Sequence, residues 1–402
     1  GAVPFVLSGE IPSFVDALFE TVSGFTTTGA TILTNIEALP YGILFWRAFT
    51  HWLGGMGVLV LVTAIVPSLG VRPHYLTQAE TPGPVFSKLV PKQSQTSKIL
   101  YQMYFALTLA EVILLKICGL PLYDALIHSF STAGPGGTVV ASLGIVTGVL
   151  GFDQTGVALL IAIFALLFSL NFGLYFLLLQ RRFKEALKSD EARLFLLLVA
   201  GSTALITINI MPIYENVWDS LRYAFFQVAS IISTTGFATA DFVLWPHFSQ
   251  MILVILMFCG ACAGSTGGGI KCSRVVMLLR SIRRELHRIA HPRSVEVVRL
   301  DGKPVDESTL HSVLVFIGFY ILIILTAALV VSLDNVPFDV SFSAALTCVS
   351  NVGPGLATIG PSGNFAAFSP LSKVVLSLCM IIGRLEIFPI LVLFSRHTWR
   401  RN

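Results

Sequence analysis

Residues 25–29 read Phe25-Thr26-Thr27-Thr28-Gly29, an apolar residue and a run of hydroxyl side chains that end on a glycine. The same order of a short apolar stretch, small or hydroxyl residues and a glycine returns three times, ending at Gly137, Gly236 and Gly353. From glycine to glycine the spacings are 108, 99 and 117 residues. A pattern repeated at this scale predicts four equivalent units, and four short loops around one axis can form a ring of carbonyl oxygens.

The composition is that of a membrane protein. The chain has 402 residues, of which 54% are hydrophobic and 12% are charged, whereas soluble domains carry about 25% charged residues. A net charge of +4 gives no indication of a nucleic-acid partner. Because a membrane-spanning helix needs about 20 apolar residues, we predict an all-α integral membrane protein. The candidate spans are 42–66, 98–119, 156–180, 193–213, 247–262, 308–333 and 371–395.

Basic residues lie on one set of loops. Residues 72–98, 181–193, 271–303 and 396–401 hold 21 of the 26 Lys and Arg residues, and by the positive-inside rule these segments are cytoplasmic. The glycine motifs then open to the outside. Acidic residues on that side would either raise the local cation concentration or only solvate their loops, and the pattern favours neither reading. These acids are Glu10, Glu37, Asp153, Glu215, Asp219, Asp241, Asp334 and Asp339.

The four motifs divide the chain into units made of a span, a short helix, a loop and a second span. We place the units at 1–71, 72–180, 181–303 and 304–402, and the short helices at 13–25, 124–132, 217–232 and 339–349. These helices are too short to cross a bilayer, so they re-enter it, and their loops must be buried in protein or line water. We expect four pseudo-symmetric units around one central pore. Because no apolar span precedes the first short helix, we expect unit one to lack its first helix here.

The loops carry the candidate binding site. Their side chains are small, hydroxyl or apolar, so a bound cation would depend on main-chain carbonyls and threonine hydroxyls. A short helix whose C-terminal end faces the site adds negative potential. The alternative is four unrelated turns at helix ends, which the repetition disfavours. The candidate ion-coordinating residues are Thr27, Thr28, Gly29, Ala30, Gly136, Gly137, Thr138, Thr234, Thr235, Gly236, Phe237, Asn351, Val352, Gly353 and Pro354.

Glycines interrupt the second span of unit three. The stretch Gly264-Ser265-Thr266-Gly267-Gly268-Gly269 places four glycines within six residues, and each glycine lowers helix propensity by about 1 kcal/mol relative to alanine. It therefore predicts an unwound, flexible intramembrane loop. A phosphate-binding loop is the alternative, but the spacing is not that of a Walker A motif and no strand precedes it.

Two cysteines nearby, Cys259 and Cys262, have a metal-like spacing. No second pair or histidine accompanies them, which favours close helix packing over zinc.

Few charged residues fall within the spans. Arg384 lies inside the last span, where a cation is costly and is a functional candidate. On a helix facing the pore, it would lower cation occupancy beneath the loops. An ion pair with Glu386 is the alternative, although residues two positions apart point well apart on a helix. Glu111 is either an ion or proton relay or, as we favour, a hydrogen-bonded structural acid, and Lys116 can snorkel to the interface.

Other polar residues in the spans have simpler interpretations. We expect His51 and Asn171 to make helix-to-helix hydrogen bonds. We expect Trp46 and Arg47, near the outer end of the first span, to be interface anchors.

Several stretches resemble the Trk/Ktr/HKT superfamily of potassium transporters, most closely its bacterial Trk-type membrane subunits. They occur in the family's order across essentially the whole chain, and those at 261–271 and 383–388 are highly specific. The matching stretches are Thr26-Thr27-Thr28-Gly29-Ala30-Thr31, His51-Trp52-Leu53-Gly54-Gly55-Met56-Gly57, residues 261–271, Gly353-Pro354-Gly355 and Gly383-Arg384-Leu385-Glu386-Ile387-Phe388.

The resemblance implies four channel-like units around one pore, one pore per subunit of a homodimer, and an extra pair of N-terminal helices. The four repeated glycines match filter glycines, and Gly29, often serine in sodium-preferring relatives, favours potassium. The implied potassium positions are at Thr28, Gly137, Thr235 and Val352. The implied gate, a loop that obstructs the pore and an arginine beside it, consists of Gly264, Ser265, Thr266, Gly267, Gly268, Gly269 and Arg384.

The resemblance also implies a cytosolic nucleotide-binding regulatory ring, which the basic segment 271–303 would face. The location would be the bacterial plasma (inner) membrane, with no covalent cofactor and K⁺ as the transported ligand. Two features depart from the family. Unit two reads Gly134-Pro135-Gly136-Gly137-Thr138, where a larger residue is expected after the second glycine, and Glu111 is not expected at its position.

We therefore predict a protein that is not an enzyme and that passes K⁺ through one selectivity filter, gated by the 264–269 loop and a cytosolic regulator. A proton- or sodium-coupled carrier of the same fold is the alternative, although such carriers usually use inverted repeats. An intramembrane enzyme would need a nucleophile, acid pair or metal cluster. A structural subunit would have no reason to repeat four glycine loops.

Overall fold

The computed structural model describes residues 1–36, 38–57, 93–137, 154–294 and 296–385. In chain order the helices are α1 (Val3–Leu7), α2 (Phe14–Phe25), α3 (Tyr41–Gly55), α4 (Gln93–Ile117), α5 (Leu122–Ala133), α6 (Gln154–Ser169), α7 (Phe172–Leu179), α8 (Phe183–Ala186), α9 (Asp190–Tyr214), α10 (Val217–Ile232), α11 (His247–Cys259), α12 (Cys272–Ala290), α13 (Glu307–Val331), α14 (Phe338–Ser350) and α15 (Pro370–Arg384). Single 3-10 turns lie at Phe242–Leu244, Ser332–Asp334 and Ala357–Ile359. A short antiparallel pair, β1 (Arg299–Leu300) and β2 (Lys303–Pro304), places Arg299 opposite Pro304.

Three helices of the described part are long and apolar enough to cross a membrane. They lie at Lys98–Ile117, Asp190–Tyr214 and Glu307–Asp334. Large apolar side chains on them point outward, including Leu197, Ile208 and Leu329, as expected for helices that meet lipid. The prediction of a helical membrane protein is confirmed. The predicted spans 42–66 and 371–395 are described only as far as residues 57 and 385, and their remainders lie outside the described residues.

The predicted span 156–180 is not one straight helix. Its two parts, α6 and α7, meet at an angle of 89° after Ser169. Asn171 accepts a hydrogen bond at 2.7 Å from the amide of Gly173 and so caps α7, because an N-cap side chain satisfies an amide that the first turn leaves free. The predicted span is therefore formed by two helices that together are long and apolar enough to cross a membrane. The expectation that Asn171 bonds between helices was wrong, since its side chain starts a new helix instead.

The four short helices are α2, α5, α10 and α14, and their bounds agree with prediction to within two residues. Ser13 and Asn216 accept hydrogen bonds from the first turns of α2 and α10. Pro121 and Pro337 directly precede α5 and α14, where the fixed φ of proline suits entry into a helix. Helices of 12–16 residues are about 18–24 Å long, less than the roughly 30 Å of the hydrocarbon core.

Contacts between the units repeat in a circle. The helix after each glycine loop packs against the short helix of the next unit: α3 against α5, α6 against α10, α11 against α14, and α15 against α2. The last contact returns to the first unit, so the circle is closed. The short helices therefore lie inside a wall of longer helices. Their own residues, such as Val228 and Leu346, are fully buried in the core.

Candidate functional site

The four glycine loops meet at the centre of this circle. We number them loop 1 (residues 26–31), loop 2 (134–137), loop 3 (233–237) and loop 4 (351–355). Each is so close to the next that a Cβ added to its glycine would press on the neighbouring backbone: Gly29 on Gly136, Gly137 on Thr235, Gly236 on Val352, and Gly353 on Thr28. The loops therefore form a closed ring of backbone, in which a side chain added at any of these glycines would force the neighbouring loop to shift.

Each short helix ends in the same way. The residue before the repeated glycine donates its amide hydrogen to the carbonyl oxygen five residues earlier: Thr28 to Ser23 (2.9 Å), Gly136 to Ser131 (3.1 Å), Thr235 to Ser230 (2.9 Å) and Val352 to Thr347 (3.0 Å). This bond closes a Schellman-type helix end. The C-terminal ends of the four helices, which carry partial negative charge, therefore come together at the ring.

Three of the loops share an unusual backbone. The residue two before the glycine is left-handed in loops 1, 3 and 4, with φ of 54° at Thr27, 60° at Thr234 and 55° at Asn351. The glycines that follow also have positive φ, between 75° and 99°. Left-handed residues other than glycine are uncommon, so loops 1, 3 and 4 share an uncommon backbone conformation.

Loop 2 departs from this geometry. Pro135 occupies the position of the left-handed residues, and its ring fixes φ near −65°. The amide of Gly137 donates to the carbonyl oxygen of Thr235 at 2.6 Å, so the main chain of loop 2 is hydrogen-bonded directly to that of loop 3. The sequence indicated that this loop is different, and proline supplies the physical reason. Thr138 lies outside the described residues.

Three other predicted site residues are hydrogen-bonded within their own unit or buried. The carbonyl oxygen of Phe237 accepts from Ser230 Oγ at 2.6 Å, and that of Pro354 accepts from Thr347 Oγ1 at 3.2 Å. Ala30 is buried. These two bonds hold loops 3 and 4 against their own short helices.

Hydrogen bonds between hydroxyl groups stabilise loops 1 and 3. Thr26 and Thr28 share a hydrogen bond of 2.8 Å in loop 1, and Ser233 and Thr235 share one of 2.7 Å in loop 3. Each pair joins hydroxyls two residues apart, so the two loops use the same device. The hydroxyl residues of the motif therefore stabilise the loop conformation.

A buried ion pair that the sequence reasoning missed holds loop 1. Glu20 of α2 accepts from Arg47 Nε at 2.6 Å, and both side chains are almost completely buried. The same carboxylate accepts from Thr31 Oγ1 and from the amide of Ile32 at 3.0–3.2 Å. The prediction that Arg47 anchors at the interface was wrong, because its charge is neutralised inside the protein. The sequence feature that could have revealed this ion pair is Glu20 itself, an acidic residue within a short helix that is predicted to re-enter the membrane.

The glycine-rich segment is unwound, as predicted, over residues 260–271 between α11 and α12. We call this segment the intramembrane loop. Its amides at Cys262 and Thr266 donate to the carbonyls of Ser169 and Phe168 at 3.0 and 3.2 Å, and its Gly264 carbonyl accepts from Phe172 at 3.0 Å. The loop therefore satisfies the backbone groups that the bend between α6 and α7 frees. Two broken helices supply each other's missing hydrogen bonds, which lipid cannot provide.

The intramembrane loop lies directly against the ends of two short helices. Gly268 donates its amide hydrogen to Thr234 Oγ1 at 2.8 Å. A Cβ on Gly268 would collide with the carbonyl oxygen of Ser350, and one on Gly267 would lie 2.9 Å from that of Ser233. The loop therefore sits beside the ring, under α10 and α14.

Arg384 reaches the same loop from α15. Its Nη1 donates to the carbonyl oxygen of Thr266 at 2.6 Å, and its Nη2 donates to those of Gly54 and Gly55 at 2.6 and 2.5 Å. One guanidinium thus connects the intramembrane loop with the end of α3. Glu386, the alternative partner, lies outside the described residues. Lys271 Nζ also donates to the Gly267 carbonyl, so two cations bind loop carbonyls.

A cavity of about 410 Å³ opens next to the ring. Its lining includes all four repeated glycines and segments that follow loops 1, 3 and 4, with Asp241 as the carboxylate among the lining residues. Asp241 is held by the Val243 amide and the Ser362 hydroxyl, at 3.1 and 2.9 Å. The four repeated glycines of the ring are thus accessible from this cavity.

The remaining candidates are placed as follows. Glu111 is fully buried in α4, whereas Lys116 at the end of that helix is exposed, as expected for snorkelling. His51 Nδ1 lies 2.9 Å from the carbonyl oxygen of Arg47 in its own helix, so the expected bond between helices was wrong.

No group of three or more His, Cys, Asp or Glu residues in the described ranges could hold a metal ion.

Comparisons with known proteins agree with this architecture. Residues 1–400 match the family model described as TrkH, cation transport protein. The chain is 39% identical to the Trk system potassium uptake protein TrkH of Salmonella typhimurium, covering 100% of this chain and 83% of that one. It is 34% identical to the Trk system potassium uptake protein TrkG of Escherichia coli, covering 99% and 82%.

A solved structure is similar over the whole chain. The crystal structure of the potassium transporter TrkH from Vibrio parahaemolyticus matches with a TM-score of 0.85 at 34% identity, covering 100% of this chain and 82% of that one. These relatives are transport proteins, which confirms that the chain is not an enzyme. The family resemblance seen in the sequence is confirmed: the chain belongs to the TrkH family of cation transport proteins.

Proposed function

We propose that this chain takes up potassium ions through the ring of four glycine loops, which acts as a selectivity filter. The closed ring is the observation that carries the proposal. Four helix C-termini converge on it, the residues of loops 1 to 4 carry no charged side chain, and each repeated glycine lies close to the backbone of the next loop. A K⁺ ion that sheds water there would be surrounded by main-chain oxygens. The names of the relatives, which are potassium uptake proteins, support the choice of ion.

The coordinating carbonyls in this proposal are those of Thr28, Gly137, Thr235 and Val352, together with their neighbours in loops 1 to 4. Coordination is weakest between loops 2 and 3, because the Thr235 carbonyl already accepts from the Gly137 amide. Three well-formed loops and one divergent loop would still place oxygen on several sides of the ion. The intramembrane loop and Arg384 form the gate beneath it.

The proposed function also predicts the partners of the chain and its location. We propose that the chain forms a homodimer in the bacterial plasma membrane, with the loops outside and the basic segments in the cytoplasm. A cytosolic nucleotide-binding ring would then face the region around α12, where Arg283, Arg288 and Arg293 are exposed. The exposed positive charge of this surface would favour an acidic partner surface.

Flux through liposomes containing only the purified chain tests the proposal. We expect K⁺ flux well above Na⁺ flux, and loss of K⁺ flux in Gly236→Ser, because a side chain there collides with the Val352 carbonyl. Gly201→Ala is the matched control, since no atom lies within 4 Å of an added Cβ at that position of α9. Equal permeation of Na⁺ and K⁺ would overturn the selectivity, and no flux from the unaltered chain would overturn the function.

A further inference from the structure

Glu191 joins the two sides of the glycine-rich stretch 264–269 of the intramembrane loop. This residue lies in the first turn of α9 and is only 7% exposed. Its Oε1 accepts hydrogen bonds from the amide of Ala263 at 2.6 Å and from the amide of Ser273 at 2.9 Å. Those amides flank the glycine-rich stretch on either side. One carboxylate oxygen therefore holds the point where the chain enters the loop and the point where it leaves.

The helix that carries Glu191 is itself firmly attached. The neighbouring Asp190 accepts from Arg280 Nη1 of α12 at 2.7 Å and from the amide of Asp301 at 2.8 Å. The Asp190 amide donates in return to Asp301 Oδ1 at 2.7 Å. Beyond this end, α9 packs against α10, the short helix that leads into loop 3. Glu191 thus connects the intramembrane loop to α9, a helix that is itself bonded to α12 and packed against α10.

A role as an ordinary helix cap accounts for only half of this arrangement. Ser273 is the second residue of α12, and a carboxylate at a helix N-terminus is favourable because the first amides lack partners there. Ala263, however, lies ten residues earlier, outside α12 and on the other side of the loop. A helix cap requires only the bond to the Ser273 amide, whereas a residue that holds the loop in place also requires the bond to the Ala263 amide.

The local charges fit a clamp. Lys271 lies close enough to interact electrostatically with Glu191, and its ammonium donates to the Gly267 carbonyl inside the loop. The carboxylate and the ammonium therefore act on the loop together, from its base and from within. Removing the carboxylate would release both amides and leave Lys271 with less negative charge nearby.

We propose that Glu191 is a positioning residue that keeps the intramembrane loop beneath the ring and so sets how readily the loop leaves the ion path. The proposal rests on the proposed function for its effect on flux, but its effect on the loop is measured separately. Amide hydrogen exchange of the full-length protein, read by mass spectrometry, reports on the peptide covering residues 261–273. The peptide covering residues 230–237 reports on loop 3 in the same sample.

We expect Glu191→Ala to raise exchange in residues 261–273 by roughly tenfold or more, because local opening follows the loss of the bonds that oppose it. Residues 230–237 should keep the exchange of the unaltered chain, and K⁺ flux should rise. Glu191→Gln retains an acceptor oxygen without the charge and should lie between the two. Glu185→Ala is the matched control: it removes an exposed carboxylate that pairs with Arg182 at the surface, and it should leave exchange in 261–273 unchanged.

Unchanged exchange in residues 261–273 of Glu191→Ala overturns the proposal. So does an equal rise in 261–273 and 230–237, since that result means a general structural role. If the unaltered chain carries no K⁺ flux, the proposed function fails, but the exchange measurement still decides whether Glu191 positions the loop.

Discussion

Asn351 of loop 4 donates from its Nδ2 to Thr28 Oγ1 of loop 1 at 2.9 Å, a hydrogen bond between residues 323 positions apart in the chain. The same amide group donates to the carbonyl oxygen of Met380 in α15, also at 2.9 Å. Asn351 is completely buried and left-handed, with φ of 55°. One side chain therefore fastens the first loop, the fourth loop and the last described helix to each other.

Asn351→Gly tests what this connection contributes. Glycine accepts the left-handed backbone without strain, so the change removes the side-chain bonds and the packing of this buried side chain without distorting the main chain. We expect the free energy of unfolding to fall by about 1–3 kcal/mol, since buried partners lose their hydrogen bonds, and the K⁺/Na⁺ flux ratio to fall with it. Thermal unfolding in detergent and liposome flux measure the two effects.

Asn335→Gly is the control for that variant. Asn335 has the same φ of 55° but is exposed and lies outside the loops. It should leave both measurements unchanged. Normal selectivity in Asn351→Gly would show that the bond between loops 1 and 4 is dispensable for the ring.

Breaking the Glu20–Arg47 pair should be costly. Glu20→Gln leaves the guanidinium of Arg47 buried without its counter-charge, and removing one partner of a buried ion pair destabilises a protein by about 3–5 kcal/mol. Loop 1 should also loosen, because Thr31 and the Ile32 amide lose a charged acceptor. We expect a lower unfolding temperature together with reduced K⁺/Na⁺ discrimination.

The double variant Glu20→Gln/Arg47→Gln separates charge from shape. It carries no buried charge at this place, so much of the lost stability should return. A double variant as unstable as Glu20→Gln alone would mean that packing, rather than the unpaired cation, determines the cost.

The sequence revealed those parts of the molecule that repeat. The apolar pattern around Phe25, Phe130, Phe225 and Phe342 predicted the short helices to within two residues, because a helix that starts at a cap and ends at a small-residue run is a local property. The unwinding at 260–271 was equally local, since clustered glycines weaken a helix whatever surrounds them.

Contacts between residues that are far apart in the chain could not be predicted from local sequence patterns. Nothing near Asn171 in the chain shows that α6 ends at Ser169, because the amides and carbonyls freed there are satisfied by residues 262–266. Arg47 was misread for the same reason: a cation near a span end suggests the interface, and only the fold brings Glu20 against it. Pairings of this kind depend on tertiary packing, which outweighs local preference.

Arg384 offers a test of whether charge or bonding keeps the path closed. Arg384→Gln removes the positive charge and the bonds to Thr266, Gly54 and Gly55, so K⁺ flux should rise. Arg384→Lys keeps the charge, but a single ammonium cannot reproduce the forked geometry of a guanidinium. We therefore expect the lysine variant to raise flux as well, by a smaller factor. Flux as low as that of the unaltered chain in Arg384→Lys would assign the barrier to charge alone.

Gly268→Ala should displace the intramembrane loop without altering any charge. The added methyl group would collide with the carbonyl oxygen of Ser350 at the end of α14, and the Gly268 amide would be drawn away from Thr234 Oγ1. Overpacking of this kind costs about 1–3 kcal/mol, and the loop can relieve it most easily by moving away from the ring. We expect higher K⁺ flux and a lower unfolding temperature. Gly318→Ala in α13, where an added Cβ meets no atom within 4 Å, should change neither. If Gly268→Ala behaves like that control, the loop is not held against the ring, and it cannot obstruct the path as proposed.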